Sequence, residues 1–281
     1  MPLTQFIAIV SETNQVTSTD LQRVAGALDK QAKRDFADPW GVSASVNPFA
    51  SLDDVPTDYW PVIIRDDIGF EGAAGIHLDK DGQPFALVQS GAEWSLTASH
   101  EVLEMLADPF GNRLVAGKSP KKGQGRVNFL VEVCDPSEAA QFAYTVNGVL
   151  VSDFYFNSFF DPVKSSGVRY SFTGALPKPR DIVRGGYLSW MVPETGEWFQ
   201  KIFFGNKPEY RSLGVFDAAN FRSLREFIDH KTPKPLQQRR GTAKRALTAT
   251  AEFSVPAQVK HATCGRAGRL RDQIKALIRR K

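Results

Sequence analysis

Ser99-His100-Glu101-Val102-Leu103-Glu104-Met105-Leu106-Ala107-Asp108-Pro109 is the stretch on which the reading of this chain turns. A helix advances about 100° per residue, so with His100 at zero Glu104 falls near 40°, Asp108 near 80° and Glu101 near 100°. Ala98, Val102, Leu103, Met105 and Leu106 take the rest of the circumference. The spacing predicts a helix with one apolar face and one face carrying an imidazole and three carboxylates. Ser95 or Thr97 is positioned to cap its start. Asp108 ends it, because a residue before proline is disfavoured in the α region.

An ordinary solvated helix face mixes charges, yet no Lys or Arg occurs between Lys80 and Arg113. Three clustered acids then lack a local cation, and a bound metal ion is one way to supply it. His and Glu at i and i+4 project side by side, the spacing by which one helical turn offers two ligands to one ion. Glu101 lies between them, where a carboxylate can take a proton from metal-activated water. His-Glu-x-x-Glu arises by chance in roughly a few per cent of chains of this length, so the spacing is moderately specific.

Outward from this helix, Gly75 to Leu78 and Pro84 to Gln89 read as a hairpin around an Asp-Gly turn, and Phe142 to Val151 as another around Asn147-Gly148. Gln5 to Val10 reads as a buried strand. Leu21, Val24, Leu28 and Phe36 recur at helical spacing and predict a helix over Thr19 to Asp35. Val42 to Val46, Trp60 to Arg65 and Val127 to Val133 are strand-like, and Phe216 to Ile228 is a further expected helix. The aromatic run Phe154 to Phe160 reads as core.

The charge is divided. From Lys231 to Lys281 there are 14 Lys/Arg and 2 Asp/Glu, a net of +12, whereas residues 1–230 carry −8. The expected organisation is a body over 1–230 and a basic tail over 231–281, with a terminal amphipathic helix through Leu270, Ile274, Leu277 and Ile278. Such a tail attracts a polyanion, nucleic acid included, or a partner subunit. Two cysteines, Cys134 and Cys264, do not make a disulfide framework, and Cys134 reads as packing. No apolar run approaches the roughly 20 residues of a membrane-spanning helix. No secretory signal is recognisable at the start, and a soluble, cytoplasmic protein is the expectation.

The helix stretch resembles the active helix of the zincin metallopeptidases, which bears His-Glu-x-x-His. It is most similar to a poorly characterised branch in which that stretch is followed by Glu-Val-Cys-Asp-Pro, here Glu132 to Pro136. The resemblance spans Gln5 to about Phe204. It implies an α+β, zincin-like fold with a mixed sheet and an active-site helix, and a hydrolase acting on a peptide or protein substrate. It also implies that the strand Pro84 to Gln89 borders the cleft, where an extended peptide adds as a strand. Glu104 stands where the family has its second histidine. Carboxylate ligands weaken the ion as a Lewis acid and suit harder ions, so one divalent metal is expected, zinc first and Mn²⁺ or another harder ion as the alternative. Glu132 is the expected third ligand and Asp135 its alternate, since this acidic pair interrupts a buried run. Asp108 and His77 are expected to support the ligands or meet substrate. The contrasting expectation is a non-catalytic structural or interaction protein on a zincin-derived scaffold.

Overall fold

The computed structural model describes residues 3–70, 72–232 and 275. Beyond Thr232, the expected basic tail and its terminal helix lie outside the described residues, Lys275 apart, as does Cys264.

The first strand, β1 (Leu3–Ser11), is internal to a mixed five-stranded sheet and pairs in parallel with β2 (Val42–Phe49) on one side and β3 (Tyr59–Arg65) on the other. Beyond β3 come β5 (Gln83–Gln89), parallel to it, and β4 (Gly75–Lys80), antiparallel, giving the order β2-β1-β3-β5-β4. A strand covered on both faces should be apolar at every position, and Ile7, Ala8, Ile9 and Val10 are all fully buried. Ile7 and Ile9 face the helices, while Ala8 and Val10 pack with Leu52, Val55 and Ile68 on the opposite face. Asp81 and Gly82 both take positive φ, 52° and 77°. That is the twist a two-residue hairpin requires.

β5 is therefore internal, hydrogen-bonded on both sides, and the exposed edge belongs to β4. The expectation that an extended peptide adds as a strand to Pro84 to Gln89 is corrected: from Ala86 to Val88 this strand is paired with β3 on one side and β4 on the other and offers no free edge.

α1 (Ser18–Lys30) starts at Thr17, whose hydroxyl accepts from the Asp20 amide at 3.1 Å. A π-helical segment, Gln31–Phe36, continues it, and α2 (Ala37–Trp40) follows. The π turn brings the buried Gln31 against α3 (Trp94–Ala107), the helix of the opening stretch. The Ser99 hydroxyl donates to Gln31 Oε1 at 2.7 Å and accepts from the Ser152 amide at 2.9 Å. Glu93, not Ser95 or Thr97, precedes the first turn, without a side-chain cap. The Ser95 hydroxyl is engaged by the Leu150 carbonyl and that of Thr97 by the Glu93 carbonyl. Asp108 closes the helix as expected.

The second sheet is antiparallel throughout, in the order β12 (Glu209–Val215), β11 (Glu197–Ile202), β10 (Tyr187–Val192), β7 (Arg126–Leu130), β6 (Leu114–Lys118). β8 (Tyr144–Val146) and β9 (Val149–Val151) form the small hairpin, turning at Asn147 and Gly148. Phe129, Trp190 and Phe199 join the same core as the helix side of the first sheet. The opposite face, with Leu130, Tyr187 and Trp198, is covered by α4 (Leu224–Lys231). This helix starts at Ser223, later than the expected Phe216, because Ser223 supplies the cap: its hydroxyl accepts from the Glu226 amide. The body extends through Thr232, which is buried and hydrogen-bonded to Gln200. Among the described residues no helix is long and apolar enough to cross a membrane. The architecture is mixed α/β, a mixed sheet with few helices.

Candidate metal centre

The polar face of α3 points into the protein. Every residue from Ala98 to Ala107 is buried, with His100 7%, Glu101 2% and Glu104 0% exposed. A solvated helix face is thereby excluded. Two shells of structure meet these side chains. β4 supplies His77, whose Nε2 lies 3.0 Å from the Asp108 carbonyl and whose Nδ1 lies 3.6 Å from Glu101 Oε2 and 3.9 Å from Glu104 Oε2. The segment after β7 supplies Glu132, Cys134 and Asp135, the last in a short 3-10 turn, Asp135–Ser137.

β4 reaches this position because Gly75 has no side chain. A Cβ there would stand 2.5 Å from Glu101 Oε1 and 2.6 Å from Thr97 Cγ2. Gly75→Ala should push strand and helix apart, lower stability by about 1–3 kcal/mol and change the His77 ring environment. Denaturation and the imidazole NMR signals of the variant would measure both, and an unperturbed variant would show that the close approach is unimportant.

His100 Nε2 stands 3.1 Å from Glu104 Oε1 and 3.2 Å from Asp135 Oδ1. Around a tetrahedral ion with ligand bonds of about 2.0–2.1 Å, neighbouring ligand atoms lie roughly 3.3 Å apart, so the imidazole stands to each of the two carboxylates as one ligand stands to another on a shared ion. His100 and Glu104 also converge with Cys134 Sγ, and His100 and Asp135 with Glu138; a third group joins His77, Glu101 and Glu104. Buried His, Glu and Cys groups that can hold a metal are thus present. Glu132 is in none of these groups.

Glu132 is held instead by a residue that the sequence analysis did not single out. Arg225, on α4 and 1% exposed, sets Nη1 2.6 Å from Glu132 Oε1, 2.8 Å from Asp135 Oδ2 and 2.9 Å from Glu104 Oε2, while its Nε is 3.0 Å from Asp229 Oδ2. The helix docks through the turn after α3: the Arg225 amide donates to the Gly111 carbonyl, and a Cβ on Gly111 would meet Arg225 Cβ at 2.6 Å. The cation missing locally around α3 is therefore partly supplied from 121 residues away, so the lack of a nearby Lys or Arg no longer argues for a metal. One guanidinium does not satisfy all of them. The two hydrogens of Nη1 bond Glu132 and Asp135, and Glu104 Oε2 is close without being hydrogen-bonded.

His77 Nδ1, His100 Nε2, Glu101 Oε2, Glu104 Oε2 and Glu132 Oε2 are all buried without a hydrogen-bond partner. Such atoms are rare, and each calls for a proton, an ion or a water. In the metal-free protein, protons answer part of that need. Burial opposes an imidazolium at His100, but the carboxylates of Glu104 and Asp135 outweigh it and hold its pKa well above the ordinary value. Burial likewise opposes charge on His77, yet contact with Glu101 and Glu104 raises its pKa overall. Burial raises Glu101, but His77, His100 and Arg225 more than offset it, leaving the carboxyl below its usual range. Glu132 goes the other way: burial, reinforced by Asp135 and Glu104, raises its pKa well above the usual range despite Arg225.

Asp108 meets the site through its backbone, since its carboxylate accepts from the Arg113 amide. Cys134 is buried and its amide donates to Glu104 Oε1 at 3.3 Å. The Tyr155 hydroxyl accepts from the Glu132 amide, which ties the aromatic core to the site.

No family model matches this chain, and neither the curated proteins nor the solved structures contain a significant match.

Proposed function

We propose that this protein is a metal-dependent hydrolase of the zincin type acting on a peptide or amide bond, with His100, Glu104 and Asp135 holding one divalent cation and Glu101 as the general base. The observation that carries the reading is the pair of buried carboxylates that meet one imidazole, Glu104 Oε1 3.1 Å and Asp135 Oδ1 3.2 Å from His100 Nε2. In this reading Asp135 takes the place expected for Glu132, because both acids meet Arg225 but Asp135 also turns its Oδ1 to His100. One nitrogen and two carboxylate oxygens suit zinc, and manganese more readily than a two-imidazole site would.

An ion bound there would supply Lewis acidity, polarising a carbonyl and making a water acidic. The chain's own residues do the rest. Glu101, held ionised by its neighbours, accepts the proton of the attacking water and returns it to the leaving amine. Arg225 orients Asp135 and Glu132 by hydrogen bonds. Donation of His77 Nε2–H to the Asp108 carbonyl fixes that ring beside Glu101.

A specific observation favours a second reading. Arg225 already neutralises part of the cluster, as expected if the ion pairs are structural and the protein acts by binding, for instance through its basic C-terminal segment to nucleic acid or another subunit.

Incubating the full chain with a peptide library, with and without a chelator, separates the two. The hydrolase reading predicts cleavage that EDTA abolishes and stoichiometric Zn²⁺ or Mn²⁺ restores, together with a thermal midpoint raised by the ion, as mass action requires of any ligand selective for the folded state. Absence of cleavage and of any metal-dependent stabilisation would leave the structural reading.

A further inference from the structure

We propose that this protein binds a second divalent cation, held by His77, Glu101 and Glu104, with the Glu104 carboxylate bridging the two ions. The inference shares Glu104 with the centre proposed above and otherwise stands on different atoms.

Glu104 presents its two oxygens to two different groups. Oε1 faces His100 Nε2 at 3.1 Å, and Oε2 faces His77 Nδ1 at 3.9 Å. On the His77 side, one ring nitrogen is already engaged: Nε2–H donates to the Asp108 carbonyl at 3.0 Å, an acceptor that leaves no choice of tautomer. In the neutral ring the Nδ1 lone pair then points at Glu101 Oε2, 3.6 Å away, and Glu104 Oε2. These are three acceptors converging on one point, with side chains 2%, 3% and 0% exposed and no hydrogen bond to any of the three atoms. Three lone pairs aimed inward, with the outer nitrogen of the imidazole anchored on a carbonyl, is the arrangement of a metal-binding histidine and its support. A carboxylate that bridges two ions places them about 3.5–4 Å apart.

The two positions are not equivalent. Arg225 Nη1 lies 2.9 Å from the same Glu104 Oε2, so a cation at His77 feels the guanidinium as well as the first ion. The second ion should bind more weakly. A cation on Glu101 Oε2 would draw electron density from that carboxylate, so filling this second position should weaken Glu101 as a proton acceptor.

Equilibrium dialysis of the full chain against ⁶⁵Zn²⁺, with folding checked by circular dichroism, tests this. The wild type should take up two ions in two steps, the second at least about ten-fold weaker, a ratio that direct titration resolves. His77→Gln, which keeps a group able to donate to Asp108, should take up one ion, and so should Glu101→Gln. His100→Ala should also take up one, now at the His77 position. If His77→Gln and Glu101→Gln bind as many ions as the wild type, the second site does not exist. A single ion that survives His77→Gln and is lost in His100→Ala also overturns the second site and leaves the hydrolytic centre standing. A single ion with the opposite dependence supports the His77 site and removes the centre at His100. No uptake at all refutes both.

Discussion

Arg225→Met, measured in chelator, is expected to lower the unfolding free energy by about 3–5 kcal/mol near neutral pH, because it leaves buried carboxylates without their cation. Methionine fills most of the volume of the arginine stem, so a cavity contributes little and the loss reports charge. Glu132 and Asp135 would each lose a hydrogen bond, and Glu104 its nearest positive charge. The pH dependence follows in sign. Without the guanidinium, which opposes the effect of burial, the folded-state pKa of Glu132 rises further above its unfolded value, so the folded variant binds more protons than the unfolded chain. Its stability is then retained at low pH and lost as pH rises through the raised pKa values; Glu132 is already displaced in that direction in the parent protein. The gap between variant and parent should therefore be small near pH 4.5 and large at pH 7.5. Urea unfolding at the two pH values measures it. A variant within about 1 kcal/mol of the parent at pH 7.5 would mean that the cluster is not held together by Arg225.

Glu101→Gln is expected to reduce turnover by about 10²–10⁴-fold, the usual contribution of a positioned general base, while the ion at His100 stays bound. The amide keeps the shape and burial of the side chain and cannot accept the proton. The predicted signature is a fall in kcat with KM little changed, since the lost interaction belongs to the transition state. Metal content after loading with one equivalent should equal that of the parent. If a demonstrated hydrolysis were untouched by this change, Glu101 would be misassigned even with the metal in place.

Much of this arrangement is legible in the chain because it is local. The hairpin turns at Asp81-Gly82 and Asn147-Gly148 follow from residues that tolerate positive φ, and both have it. β1 shows itself by an unbroken apolar run, which an internal parallel strand covered on both faces needs. The juxtaposition of His100 and Glu104 is a property of one helical turn. What the sequence could not show is what folds against that turn. Arg225 lies beside Phe227 and Ile228 on α4, and an arginine next to buried positions of a short helix hints at a buried pair, but nothing local names partners 90–121 residues upstream. The role of Gly75 was equally hidden, since its importance is the distance from its α-carbon to a helix across the sheet. The choice between Glu132 and Asp135 depended on the turn at Asp135–Ser137, which directs Asp135 Oδ1 to His100 while Oδ2 meets Arg225. Two acids three residues apart that meet different partners cannot be told apart by spacing alone.

Whether a cation sits between His100, Glu104 and Asp135 is decided most directly by anomalous diffraction at the zinc edge from crystals of the full chain grown with one equivalent of zinc. The expected result is a peak bonded to His100 Nε2 and a Glu104 oxygen at about 2.0–2.2 Å, with Arg225 still on Glu132. A map without density there, and with His100 in ion pairs to Glu104 and Asp135 alone, would contradict it.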